Sequence, residues 1–268
     1  MKRVFSPGAL SGFVILAVSV VGASAQAPAG IPRISNGKPN LNGIWQVSNS
    51  ANWDLQTHAP SAGPPALGAL MAVPPGVVVV DGEEIPYLPA ALEQRKKNRA
   101  ARWTDDPEIK CYMPGVPRAT YLPHPFQIVE NATAILISYQ FADAARPINM
   151  GKPTEAPVDS WMGWSNGRWE GDTLVVDVKS LNDKTWFDRS GNYHSDALHV
   201  VERYSMAGAN VINYEATIED PTVFSRAWKI NMPVYRHLEK NARLMEFKCA
   251  EFAEELLYGN LRRKPSAK

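Results

Sequence analysis

SWMGWSNGRWEGDTLVVDVKSL, residues 160–181, decides the fold. The aromatic-rich run Ser160–Trp169 and the β-branched run Thr173–Lys179 meet at Glu170-Gly171-Asp172, where Gly-Asp suits a two-residue hairpin loop. In the second run Leu174, Val176 and Val178 alternate with Thr173, Val175 and Asp177. A period of two marks a strand with one buried face. The stretch therefore predicts a hairpin lying on a core.

The same pattern extends in both directions. Upstream, Phe126–Glu130 and Ala134–Phe141 flank the break Asn131-Ala132-Thr133. Downstream, Ala197–Met206, Val211–Ile218 and Val223–Met232 are separated by Ala207-Gly208-Ala209-Asn210 and Glu219-Asp220-Pro221, and a last run spans Leu244–Glu251. With a short strand at Gly43–Ser48 this makes about nine strands, with no helices between those of the C-terminal half. Parallel strands need long crossovers, usually helical, so the expected arrangement is an antiparallel meander. Closing it into a barrel removes the exposed edges. The fold class is all-β, with the barrel over residues 126–268 and a short helix in its tail at Ala253–Gly259.

Residues 26–125 have a different character. Proline recurs from Pro60 to Pro125, which removes backbone donors and forbids long ladders or helices. One helix is expected, from about Ala90 to Trp103, where Ala, Leu, Glu, Gln, Lys and Arg dominate and Pro89 sits at a tolerated helix start. Trp45, Trp53, Tyr87, Trp103, Tyr112 and Tyr121 are too many aromatics for a solvated linker. This segment reads as an ordered, irregular wrap packed on the barrel.

Residues 1–25 carry the three-part pattern of a cleavable secretory signal: Met1-Lys2-Arg3, an apolar run from Ala9 to Val21, then Ala23-Ser24-Ala25. The apolar run is shorter than the roughly 20 residues a membrane-spanning helix needs, so no stable membrane insertion is expected. The destination is the periplasm or the medium. Losing Lys2 and Arg3 lowers a formal net charge of +1 by two, which gives no electrostatic case for nucleic acid. Cys111 and Cys249 are the only cysteines, and in an oxidising compartment they form the expected disulfide.

The densest polar cluster is Trp186-Phe187-Asp188-Arg189-Ser190-Gly191-Asn192-Tyr193-His194-Ser195-Asp196, which leads into a strand carrying His199, Glu202, Arg203 and Tyr204. Loops at a barrel mouth are natural site positions. Asp188 beside His194 would orient an imidazole that moves a proton, alone or with Asp196. On the strand, His199 and Arg203 share one face and Glu202 and Tyr204 the other, so one pair points inward. The catalytic candidates are His194, Asp188, His199 and Glu202. The candidate ligand contacts are Trp161, Trp186, His124, Arg203, Tyr204 and Asp196, with the tryptophans offering a flat aromatic wall. His58 and His237 are weaker candidates. His194 and His199 lack metal-ligand spacing, and neither a phosphate-binding loop nor a dinucleotide fingerprint is present, so no metal or cofactor is expected.

The 160–181 stretch resembles a large family of uncharacterised secreted bacterial proteins. So do KPNLNGIWQ at 38–46, NWDLQTHA at 52–59, CYMPGVPRATYLPHPFQIV at 111–129 and TWFDRSGNYHSDALHVVERY at 185–204. The barrel is similar to lipocalin-like or calycin-like folds, a resemblance that implies binding of small apolar molecules. The chain departs from the family pattern at His124 and Asn149. Together these features suggest an exported, cofactor-independent lyase, isomerase or hydratase acting by proton transfer on a small aromatic or terpenoid compound. The alternative is a non-catalytic carrier or sensor of a hydrophobic molecule. A barrel packed solid by side chains would instead point to a structural or interaction protein of the envelope.

Overall fold

The computed structural model describes Met1 and residues 30–247. The expected signal peptide (apart from Met1), Cys249, the end of the expected strand Leu244–Glu251 and the expected helix Ala253–Gly259 lie outside the described residues. Nine strands close into one barrel: β1 (Gly43–Val47), β2 (Phe126–Glu130), β3 (Ile135–Tyr139), β4 (Ala145–Met150), β5 (Trp164–Glu170), β6 (Thr173–Lys179), β7 (His199–Gly208), β8 (Val211–Glu219) and β9 (Trp228–Arg236). The strand expected at Gly43–Ser48 is β1. It pairs with both β2 and β9 and so completes the ring from within the Pro-rich segment.

The antiparallel meander holds everywhere except between β4 and β5. These run parallel, with Asn149 opposite Asn166 and Met150 opposite Gly167. The hairpin read from residues 160–181 is present as β5–β6, from Trp164↔Lys179 to Glu170↔Thr173. The parallel pairing follows from the segment between Met150 and Trp164, which carries Pro153 and Pro157 and returns along the outside of the barrel instead of turning back as a hairpin. A return of about a dozen residues is what a parallel pair requires. Two further corrections concern strand positions. Ala145–Met150 is a strand that the sequence pattern did not show, and residues 244–247 form none.

Alternation places the core. On β7, Val200, Glu202, Tyr204 and Met206 are buried and point into the lumen with Ile212, Tyr214, Ala216 and Ile218 of β8. The wrap covers the end of the barrel where β7 begins. Val79 N–H donates to Leu55 O, Asn231 N–H to Val79 O, and Leu88 N–H to Val223 O. Three helices belong to this cover: α1 (Pro89–Ala100), α2 (Arg102–Asp105) and α3 (Arg118–Tyr121). The first two replace the single helix expected over 90–103. All four residues of α3 are buried, and Thr120 faces the Tyr139 and Tyr204 hydroxyls, so α3 closes over this end of the lumen. Among the described residues no helix is long and apolar enough to cross a membrane.

The loop after β6 packs directly on α1. Gly191 has φ +84, and a Cβ there would lie 2.6 Å from the Arg99 backbone nitrogen. Gly171, in the β5–β6 turn, has φ +59 and open space around it. Gly171→Ala is expected to cost only the left-handed penalty, about 1 kcal/mol. Gly191→Ala adds an overpacking cost of about 1–3 kcal/mol. Urea denaturation of both variants measures the difference; equal losses would mean that the loop yields freely to α1.

Candidate functional site

The inward pair on β7 is Glu202 and Tyr204, and Glu202 is the centre of a buried polar network. Its Oε1 accepts from the Tyr204 hydroxyl at 2.9 Å and the Tyr214 hydroxyl at 2.7 Å. Its Oε2 accepts from Arg146, the inward residue of β4. Arg146 also donates through Nε to Ser165 Oγ at 2.8 Å and through Nη1 to the Tyr139 hydroxyl at 3.4 Å. Five strands therefore supply one network with no exposed member. Burial disfavours the Arg146 charge, but Glu202 and the neighbouring tyrosines hold its pKa well above the arginine range. Burial, and then Glu202, push Tyr204 and Tyr214 well above the usual tyrosine range, so both remain donors.

Ser165 belongs to Gly163-Trp164-Ser165-Asn166-Gly167, which has G-x-S-x-G spacing. The motif lies along β5 and not on a strand-to-helix turn, and Ser165 is buried against Arg146, so it is not a nucleophile elbow.

Asp188 and His194 lie in the loop between β6 and β7, and each has other partners. Asp188 accepts four N–H donors: Leu55 N at 2.9 Å, Ser190 N at 2.9 Å, Asn192 N at 3.2 Å and Asn192 Nδ2 at 2.6 Å. It staples the wrap to the loop. Burial and the nearby Asp54 push its carboxyl up to about 7. His194 Nδ1 lies 2.8 Å from Ser195 O, so that nitrogen carries the proton, and Nε2 accepts from Thr185 Oγ1 at 2.6 Å. Burial lowers its pKa and keeps the ring neutral. The expected Asp188–His194 orientation is thus replaced by loop fastening on both sides.

The same end holds a charge network that the sequence did not reveal. Arg118 makes a bidentate pair with Asp106, at 2.7 and 2.8 Å, and donates to Asn52. Arg189 makes a second bidentate pair with Glu108, at 2.6 and 2.8 Å, and stacks 4.2 Å over Trp53. Fixed planar forks of this kind suit guanidinium and carboxylate. Arg118, Asp106, Glu108 and Asn52 are scattered in sequence, and no local pattern marks them.

The other candidates are dispersed. His199 sits on the outer face between Asp177 at 3.0 Å and Glu219 at 3.3 Å, and Arg203 pairs outside with Glu170 at 2.9 Å. Asp196 is exposed. Trp161 packs on Tyr112, and Trp186 is half-buried in a bridge with Tyr193. His124 packs on Phe141, and burial lowers its pKa. His58 Nδ1 bonds Gln56 O, and His237 bridges Gln46 and Glu239. Among the described residues no three His, Cys, Asp or Glu side chains gather as metal ligands.

The outer return segment, by contrast, encloses space. Thr154 N–H donates to Asn166 Oδ1 at 3.0 Å, Asn166 Nδ2 to Thr154 O at 2.9 Å, and Trp164 Nε1 to Thr154 Oγ1 at 3.0 Å. These bonds hold residues 151–156 over β5 and β6, leaving a cleft of about 650 Å³. Its lining includes Glu155, Trp164, Arg168, Asp177 and Lys179. Trp164 and Lys179 are cross-strand partners. The chain matches no family model, and a search of curated proteins returns no match.

Arg146→Met strands Glu202 as an uncompensated buried charge, with an expected loss of about 3–5 kcal/mol. Adding Glu202→Gln is expected to recover part of it in a double-mutant cycle from urea melts; strict additivity would deny the pair its coupling. His194 supplies a pH test. Its folded pKa lies below the ordinary 6.5, so the unfolded chain binds the proton first and stability falls as pH drops through 6.5. Thermal melts from pH 7 to 5 are expected to decline more steeply for the wild type than for His194→Gln, and parallel curves would contradict the assignment.

Proposed function

We propose that this is an exported binding protein, a carrier or sensor, that takes a small molecule in the cleft between the β4–β5 return and the outer face of β5–β6. The cleft itself carries this reading. Its size falls within the roughly 300–1,000 Å³ typical of small-molecule sites. It combines the Trp164 ring with Arg168 and Lys179, a lining that suits an aromatic or other ring compound bearing an acidic or hydrogen-bonding group. The residues expected to do acid–base work at the barrel mouth are engaged in holding loops together, which favours the carrier over the lyase or isomerase. The signal-like N-terminus supports export to the periplasm or medium, and with it a Cys111–Cys249 bridge.

Capture from native extract followed by mass spectrometry tests the reading. A small molecule is expected to be enriched on the wild type and lost from both Trp164→Ala and Lys179→Glu. Enrichment of nothing, or equal enrichment on all three proteins, would sink it. The rival enzyme reading would draw on the buried Glu202, Tyr204 and Tyr214 network, although that network is closed from the outer cleft. Turnover of a captured compound that Glu202→Gln abolishes, with binding intact, would favour the enzyme.

A further inference from the structure

A second, smaller cleft lies where the wrap meets the β6–β7 loop, away from the return segment. It is lined by Trp53, His58, Arg99, Arg102, Arg189 and Ser190, with Asp54 on one wall. Five chain segments meet there: residues 53–61 of the wrap, Val73, α1, α2 and the loop at 189–190.

The charges around this cleft are unbalanced. Arg99 spends one Nη on Ser190 Oγ, at 2.7 Å, and on Asp54, at 3.3 Å. Asp54 also accepts from Ser190 Oγ at 2.5 Å. Glu108 takes Arg189 from behind, through Nε and Nη2, and it also serves Arg118. Arg102 donates through Nη1 to the Arg99 carbonyl, and its side chain lies over Trp103. No carboxylate among the described salt bridges is assigned to Arg102. Burial and the neighbouring Arg99 lower its pKa, as a guanidinium lacking a counter-charge requires. His58 also lines the cleft; its Nδ1 is engaged, and its Nε2, on the ring edge against Gly76, is buried with no hydrogen-bond partner. The cleft measures about 40 Å³. A single water needs roughly 10–15 Å³ on this scale, so the space suits one tetrahedral oxyanion or a few waters.

We propose that this cleft binds an oxyanion, phosphate or sulfate, between Arg99, Arg102, Arg189 and His58. The anion accepts the guanidinium donors left over from the protein's own ion pairs, with His58 on the wall of the cleft. Binding draws α1 and α2 onto the β6–β7 loop and so fastens the cover of the barrel. This site is independent of the ligand cleft on β5–β6 and stands or falls separately from it.

The test uses inorganic phosphate on the full mature chain. Millimolar phosphate is expected to broaden in ³¹P spectra on adding protein, and to raise the Tm above that in sodium chloride of equal ionic strength. Arg102 carries none of the pairs that fasten the loop, so Arg102→Gln is expected to fold, to lose the broadening and to lose most of the Tm increment. His58→Gln is expected to weaken both effects. Sulfate is expected to compete with phosphate, restoring the sharp line. Phosphate and sulfate also stabilise proteins generally by exclusion from their surfaces. An equal Tm increment in the wild type and Arg102→Gln would therefore assign the effect to that and overturn the site, as would an unbroadened phosphate line with the wild type.

Discussion

Arg146 and Glu202 meet inside the barrel, and their pairing constrains everything built around them. Removing two such charges from water costs several kcal/mol each, and the cost is tolerable only when every lone pair and N–H is occupied. Here Tyr139, Ser165, Tyr204 and Tyr214 supply further partners to the pair. That arrangement fixes register. Sliding β7 by one residue would turn Glu202 to solvent and bring His199 and Arg203 into the lumen. It also accounts for β4, whose sequence ARPINM is a poor strand but which must deliver Arg146 beside Ser165 of β5. The parallel β4–β5 contact brings those two residues together.

With side chains occupying the lumen in this way, the cleft on β5 and β6 lies outside it. The parallel pair needs a return segment on the barrel surface, and that segment roofs the cleft on β5 and β6. The irregular pairing that serves the internal charge pair thus also makes the external cleft. At the end covered by the wrap, a similar economy operates. Asp188, Asp106 and Glu108 each hold two or more segments, so that a proline-rich stretch lacking long ladders is fastened by side-chain hydrogen bonds instead.

What the sequence made legible follows from the same physics. The β5–β6 hairpin was clear because the inward residues of β6 are Leu174, Val176 and Val178 and its turn is Gly-Asp. β7 was placed, and its two faces separated, from alternation alone, although alternation could not say which face was inward. β4 was invisible because its inward residues are Arg146 and Ile148 around Pro147, a pattern that reads as a polar loop. The expected strand at Val223–Met232 starts later, at Trp228, because Asp220 caps a turn through Thr222 and Ser195. The Asp188–His194 cluster looked chemical by composition. Composition could not show that backbone N–H groups of Leu55, Ser190 and Asn192 would claim the carboxylate, since Leu55 lies far away in sequence. Arg118 and Glu108 were missed for the same reason: their partners are tertiary.

The end cover also balances its two perturbed groups against each other. Asp188 is raised from an ordinary 3.8 to about 7, so between those values the folded protein holds its proton more strongly, and this group favours the folded state as pH falls. His194 is lowered from 6.5, so below that value the unfolded chain takes the proton and the folded state is disfavoured as pH falls. The two slopes have opposite signs over the interval they share. Both residues sit in one loop, six positions apart, and both are fully buried at its junction with the wrap. Their opposition leaves that junction less sensitive to mild acid than either residue alone would make it.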